Sequence, residues 1–500
     1  MATSSSIPQT GLLSLPDELL LEIVEHLKGH IFREHDSRRT GNSLYGITLT
    51  NRRLYNLSKS LLYSVYSFHY GSPDLFLRTI CENQHLASQV NTINWDYATE
   101  AVEEFKYRRG ILAVKQQFNF EESTYDRLNE KVQQGNVTAE RLIQELRLGR
   151  CYLGDLRALN AIFIFTPNLE RLEVVETYRW DDHSYWFRPI LDPEPHAFSR
   201  LHSVKVHGPL RLENVVALLT LSSMRNLELR QVIEMRREEG RTFDWEHSPS
   251  FKDLLEQRGS NIESFHLLQS FVNFDDLRPV MRAFRALKSF VYEHDENELS
   301  VQRHVINYKA LAEILSHHRH TLTFLRIVSV PVSSSTILMP YGDPDLLFRT
   351  VQDFPDLTSL ELPLFSSKPE FEPPAWDMLP PNLTHLVVVD SNSQIFYTGR
   401  MSFEPLEVGL EVLAARKRQG ELPSLQSVTL KKWHPWYGSV PHNISYFKAL
   451  LEGVGMQLHS VPAEIGSSVF TMEDIACIEL QTEPGWIMVE EFNLRQEYEY

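Results

Sequence analysis

Leu169-Glu170-Arg171-Leu172-Glu173-Val174 places apolar side chains at the first, fourth and sixth positions of a six-residue phrase. The last two are one residue apart, the period of a strand whose alternate side chains share a face. The phrase recurs at Leu201-x-x-Val204-x-Val206, Met224-x-x-Leu227-x-Leu229, Ile262-x-x-Phe265-x-Leu267 and Leu287-x-x-Phe290-x-Tyr292. It continues at Leu322-x-x-Leu325-x-Ile327, Leu357-x-x-Leu360-x-Leu362, Leu383-x-x-Leu386-x-Val388 and Leu425-x-x-Val428-x-Leu430. Successive first positions lie 23 to 42 residues apart. Such spacing leaves room for one strand and one helix of varying length per unit, and it is the mark of a stacked array. Val90-x-x-Ile93-x-Trp95 reads as an earlier copy, and Leu458-His459-Ser460-Val461 starts a degraded last one.

Between the phrases lie helical stretches: Leu153–Ile164, Val215–Leu221, Phe251–Leu255, Leu277–Phe284, Tyr308–His317 and Leu406–Lys417. Small or polar residues punctuate several of them just before the next strand, as in Thr166-Pro167-Asn168, Arg258-Gly259-Ser260-Asn261 and Leu422-Pro423-Ser424. One unit cannot bury both its strand and its helix, so stacking closes a shared core. The pattern is that of an irregular leucine-rich-repeat-like α/β solenoid over 85–470, with a parallel sheet on its concave face. An α/β domain with parallel strands gives similar alternation, but the strands are short and the phrase persists over more than 250 residues. The residue between the last two apolar positions is expected to face the concave side: Glu173, Lys205, Glu228, His266, Val291, Arg326, Glu361, Val387 and Thr429. That mixture of charge and apolar character suits a protein segment, and all of these but Val291 and Val387 are the expected target-binding positions.

Two stretches break the rhythm. The polar segment 99–150 reads as helices inserted into an early repeat, with Thr138 capping the clearest of them. Pro363–Pro381 is proline-rich and reads as a rim loop. The tail 471–500 is acidic yet holds Trp486-Ile487-Met488-Val489, which suggests a terminal cap.

Ahead of the array, Ser14-Leu15-Pro16-Asp17-Glu18-Leu19-Leu20-Leu21-Glu22-Ile23-Val24-Glu25-His26-Leu27 reads as a short helix. Asp17 and Glu18 lie at the positive end of its dipole, and Ser14 stands in a spacing close to a capping box. Leu15, Leu19, Ile23 and Leu27 form one apolar row, with Leu20 and Val24 in a second row beside it. Such a helix needs a core on one side and a partner on the other.

These residues, with Ser43–Leu57 behind them, resemble the F-box. That module docks substrate receptors onto the Skp-type adaptor of SCF ubiquitin ligases. Leu49, Arg52, Leu54 and Leu57 fall on the family's apolar and basic positions, while the connection His30–Asn42 is longer than usual. The resemblance covers an all-α module over 12–65 and implies adaptor contacts from Leu15, Pro16, Glu18, Leu19, Leu20, Ile23, Val24, Leu27, Leu49, Arg52 and Leu54. An F-box followed by leucine-rich repeats is a familiar architecture, and phrases such as His317-His318-Arg319-His320-Thr321-Leu322 look like those of large fungal families of this type. The resemblance implies a non-catalytic substrate receptor, joined to a cullin through the adaptor and to a protein target through the repeats. The alternative is a repeat scaffold with no role in ubiquitin transfer.

Composition and motifs are consistent with that expectation. The net charge of −17 argues against non-specific nucleic-acid binding, and the basic runs Arg236-Arg237 and Arg416-Lys417-Arg418 are short. Three widely spaced cysteines, Cys81, Cys151 and Cys477, make neither a disulfide framework nor a zinc site. Met1–Thr10 lacks the features of a secretory leader and no apolar run reaches membrane length, so a cytoplasmic or nuclear protein is expected. No phosphate loop, nucleophile elbow or zincin helix occurs, and Gly453-Val454-Gly455 lacks the third glycine. His317, His318 and His320 have no second ligand cluster at metal spacing, and acidic pairs such as Asp275-Asp276 read as solvated turns. No cofactor and no metal is expected.

Overall fold

The computed structural model describes residues 11–31, 46–67, 73–96, 126–127, 130, 159, 162–163, 165–175, 198–210, 212–232, 251–295, 306–330, 344–364, 376–390, 404–432 and 444–462. Twelve strands among them lie in the sheet in the order in which the chain makes them. The chain divides into two compact units, one of residues 1–360 with 377–383, the other of 361–376 with 384–500.

In the first unit, helix α1 (Asp17–Ile31) and the helical turn 46–50 precede α2 (Arg52–Ser64), which leads straight into strand β1 (Val65–Ser67). Helices α3 (Pro73–Glu82) and α4 (Gln84–Gln89) lead to β2 (Thr92–Asp96). Because β1 pairs with β2 in parallel, the sheet starts at residue 65, not 85. The repeat phrases then become β3 (Arg171–Val175), β4 (Ser203–Leu210), β5 (Asn226–Val232), β6 (Ser264–Ser270), β7 (Ser289–Asp295) and β8 (Phe324–Val330). From β1 to β8 each strand pairs with the next in parallel. Helices α5 (Val216–Leu219), α6 (Phe251–Arg258), α7 (Phe274–Ala283), α8 (Tyr308–Leu315) and α9 (Pro344–Val351) lie between strands. Helix α7 starts at Phe274, three residues before its expected start. Asn273 caps it by accepting from the Asp275 N–H at 2.9 Å, with Asp275 and Asp276 in the first turn.

The phrase acts through burial and backbone bonding. Leu172, Val174, Val204, Val206, Leu227, Leu229, Phe265, Leu267, Phe290, Tyr292, Leu325 and Ile327 are all buried, as period-two alternation requires. The carbonyl just after the first apolar residue accepts N–H bonds from two residues of the next unit. Glu170 accepts from His202 and Ser203, His202 from Arg225 and Asn226, and Arg225 from Glu263 and Ser264. Glu263, Lys288 and Thr323 continue this ladder. The ladder itself runs through backbone groups, so the side chain there can vary from Glu to His to Lys, and where it is threonine the hydroxyl adds a bond, as from Thr323 to the Lys288 carbonyl at 3.0 Å.

An asparagine before the first apolar residue ties turn to turn in the same direction. Asn168 Nδ2 donates to the Ser88 carbonyl at 2.8 Å, Asn261 to Ser222 at 2.9 Å and Asn382 to Pro355 at 2.8 Å. The expected polar punctuation is therefore a hydrogen-bonding position.

The second unit carries most of β9 (Ser359–Leu364), then β10 (His385–Asp390), α10 (Glu404–Gln419), β11 (Ser427–Lys432), α11 (Ile444–Glu452) and β12 (Gln457–Pro462). β10, β11 and β12 pair in parallel. The basic run at the end of α10 is structural: Lys417 Nζ donates to the Pro423 and Leu425 carbonyls, and Arg416 reaches the Trp376 carbonyl and the Glu421 carboxylate. Gly455, with φ 77°, ends the turn after α11 in the left-handed region, so Gly453-Val454-Gly455 is a helix exit. Nearly all of the insertion 99–150 and the tail 471–500 lie outside the described residues.

Candidate functional site: an apolar helical surface and a charged sheet face

The helical module divides the expected adaptor residues into two groups. Leu20, Val24 and Leu54 are buried between α1 and α2 and form the module's own core. They are corrected from contact residues to supporting residues, because side chains at most 5% exposed have almost no surface to offer a partner. Leu19, Ile23 and Leu49 are exposed, Leu49 by 68%, as are Leu12 and Leu13 in the turn ahead of α1. Leu15 is half-buried, while Pro16, Glu18 and Arg52 are exposed, and the Leu27 side chain lies outside the described set. Leu12, Leu13, Leu19, Ile23 and Leu49 thus leave apolar surface uncovered on this small module.

Arg53, rather than its neighbour Arg52, organises this surface. Its Nε donates to the Asp17 carboxylate at 2.7 Å, Nη1 to the Leu13 carbonyl at 2.7 Å and Nη2 to the Leu15 carbonyl at 2.9 Å. The turn bearing Leu12 and Leu13 is thereby fixed to the start of α2. A cation in a helix's first turn opposes the dipole, so Arg53 needed an acceptor elsewhere; that was the available sequence signal. Ser14 does not cap α1, because its hydroxyl donates back to the Gly11 carbonyl at 2.7 Å.

On the sheet, the expected row is in register from strand to strand. Asn94, Glu173, Lys205, Glu228, His266, Val291 and Arg326 are successive pairing partners in the first unit, and Val387, Thr429 and His459 in the second. Accessibility along it is uneven. Lys205 is exposed, Glu173, His266, Arg326 and Thr429 are partly so, and Val291 is buried. Glu361 is also buried, at 4% exposed, and Lys431 Nζ bonds both its carboxylate oxygens at 3.0 and 3.1 Å. Glu361 is thus withdrawn from the target-facing set, its charge neutralised within the second unit.

Glu228 is the electrostatic centre of the row. Lys205 Nζ lies 3.8 Å from Oε2, His207 Nε2 3.8 Å from Oε1 and His266 Nδ1 3.9 Å from Oε2. Those separations are longer than hydrogen bonds, so the contacts are electrostatic. Burial pushes the carboxyl pKa up, but the two imidazoles and Lys205 outweigh it and hold the group well below the usual carboxylate range. His266 is held by the Ser264 and Ser289 hydroxyls, 3.0 and 3.2 Å from Nε2. Arg326 pairs with Glu293 at 2.6 Å.

In the histidine cluster before β8, His318 is buried and serves packing, while His317 and His320 are exposed. His318 Nε2 donates to the Met281 carbonyl at 2.9 Å, and burial lowers its pKa, so the ring is neutral. Among the described residues, no group of three or more His, Cys, Asp or Glu side chains is arranged to hold a metal ion, and no helix is long and apolar enough to cross a membrane.

No family model matches this chain, and no curated protein matches it. Among solved structures, a protein from Bacteroides fragilis is similar over 74% of this chain and 82% of its own, at 9% identity and a TM-score of 0.29. A likeness so slight bears on neither fold detail nor function.

Proposed function

We propose that this chain is a non-catalytic substrate receptor of an SCF-type ubiquitin ligase. On this reading the helical module docks a Skp-type adaptor, and the adaptor joins it to a cullin. The open face of the repeat sheet holds a protein target, and the receptor supplies proximity rather than chemistry. The supporting observation is the division of the module's apolar residues. Leu20, Val24 and Leu54 close a core, while Leu12, Leu13, Leu19, Ile23 and Leu49 are left exposed beside it.

The test is capture of a purified Skp-type adaptor by the full chain. Leu19→Glu with Ile23→Glu is expected to abolish capture while leaving thermal unfolding within a few degrees of wild type. Leu20→Ala is expected to cost about 2–5 kcal/mol of stability, since it empties a fully buried site. Capture unchanged in the Leu19/Ile23 double variant would refute adaptor docking through this face. A cullin in the assembled complex would separate a ligase receptor from a plain scaffold.

A further inference from the structure

On the open face of the sheet, one cation stands apart from the pairing pattern. Lys205 is matched by Glu228, and Arg326 by Glu293. Arg230, on β5 between them, has no such match. Its Nε is buried without a hydrogen-bond partner, and its guanidinium forms no ion pair among the described residues. Glu228 lies two residues earlier on the same strand and the same face. Lys205, His207 and His266 already surround that carboxylate.

His207 is the register partner of Arg230 on β4, and its Nε2 is likewise buried without a hydrogen-bond partner. Among the described residues the Arg230 Nε–H is therefore the donor left unused, and His207, whose Nε2 lies 3.8 Å from Glu228 Oε1, borders the same spot from the adjacent strand. Val175 and Leu268 stand next to them in the same row, on β3 and β6. A guanidinium is a fixed fork that matches a carboxylate or a phosphate in two parallel bonds, and it cannot discard its charge to suit a dry site.

We infer that Arg230 and His207 form an anion-binding subsite on the sheet face, which takes the carboxylate of an Asp or Glu in an extended acidic segment of a target protein. The apolar neighbours Val175 and Leu268 receive the residues beside that acid. A phosphorylated side chain would present the same chemistry. This deepens the receptor reading by naming the target's chemical class. It is tested without the adaptor, so failure here and failure of adaptor capture are separate results.

The experiment is fluorescence anisotropy of the full chain with three labelled peptides of one Gly/Leu background, carrying Glu, Gln or phosphoserine at the variable positions. The Glu peptide is expected to bind, to weaken as salt rises and to lose about tenfold or more in affinity with Arg230→Gln. Arg171→Gln, on the same face at the exposed start of β3, is expected to change affinity less than twofold. Arg230→Lys keeps the charge without the fork and should fall between wild type and Arg230→Gln, which preserves the test if the Gln variant does not fold. Arg230-dependent binding by the phosphoserine peptide alone supports the subsite with phosphate as the anion. Equal binding of all three peptides, no binding by folded wild type, or full affinity in a folded Arg230→Gln would overturn it.

Discussion

Arg53 and Asp17 join the two helices of the N-terminal module: Nε of the one donates to the carboxylate of the other at 2.7 Å, across 36 residues of chain. Both side chains are about half exposed, so the ion pair alone contributes little. The two carbonyls that Arg53 also bonds, those of Leu13 and Leu15, carry the consequence. Arg53→Ala should lower stability by about 1 kcal/mol and accelerate amide exchange in residues 12–20. Arg52→Ala should do neither. Equal exchange in the two variants would show that the bracket is dispensable.

The module also shows what a single helix can and cannot disclose in sequence. Residues 15, 19, 23 and 27 form one apolar row and 20 and 24 a second, and periodicity alone does not say which row is core. The packing of α2 decides it, and that needs a tertiary contact. The repeat is different, because nine copies of one phrase fix both the inward positions and the register between strands. The row from Glu173 to Arg326 was legible to the residue for that reason. Accessibility within the row was not legible: Val291 and Glu361 are covered although they occupy the same position as Lys205. Nor were the left-handed residues Gln231 and Gln269, with φ 63° and 47° near the ends of β5 and β6, since glutamine carries no signal for that conformation.

Glu228 makes stability depend on pH in a defined direction. Its folded-state pKa lies below the ordinary value of 4.5. Below about that pH the unfolded chain therefore binds more protons than the folded one, and stability falls with acidification. The contribution is fully present above the ordinary value and is lost as pH drops through the folded-state value. Urea midpoints of wild type and Glu228→Gln should differ most at pH 6 and converge toward pH 3. Parallel curves over that range would exclude Glu228 as the source.

Gly409 lies within α10, where a glycine normally weakens a helix and alanine would strengthen it. Here the order is reversed, because a Cβ on Gly409 would overlap the Trp376 indole. Trp376 is itself 6% exposed and has little room to retreat. Gly409→Ala should therefore destabilise the second unit by about 1–3 kcal/mol as an overpacked site. Adding Trp376→Leu should recover part of the loss. A higher melting temperature for Gly409→Ala would mean that the indole moves freely.

Lys431 holds a carboxylate that is otherwise withdrawn from water. Glu361 is 4% exposed, and both its oxygens accept from Lys431 Nζ at 3.0 and 3.1 Å. Lys431→Met keeps the bulk of the stem but removes the ammonium that bonds both carboxylate oxygens. Breaking one side of such a pair costs about 3–5 kcal/mol, more than the intact pair contributes, because the remaining ion stays desolvated. The loss should therefore exceed that of the double variant Lys431→Met with Glu361→Leu, in which no charge is buried at all. Chemical denaturation of the two variants beside wild type gives the order directly. If the single variant proved the more stable of the two, the carboxylate would have to be stabilised by something other than Lys431.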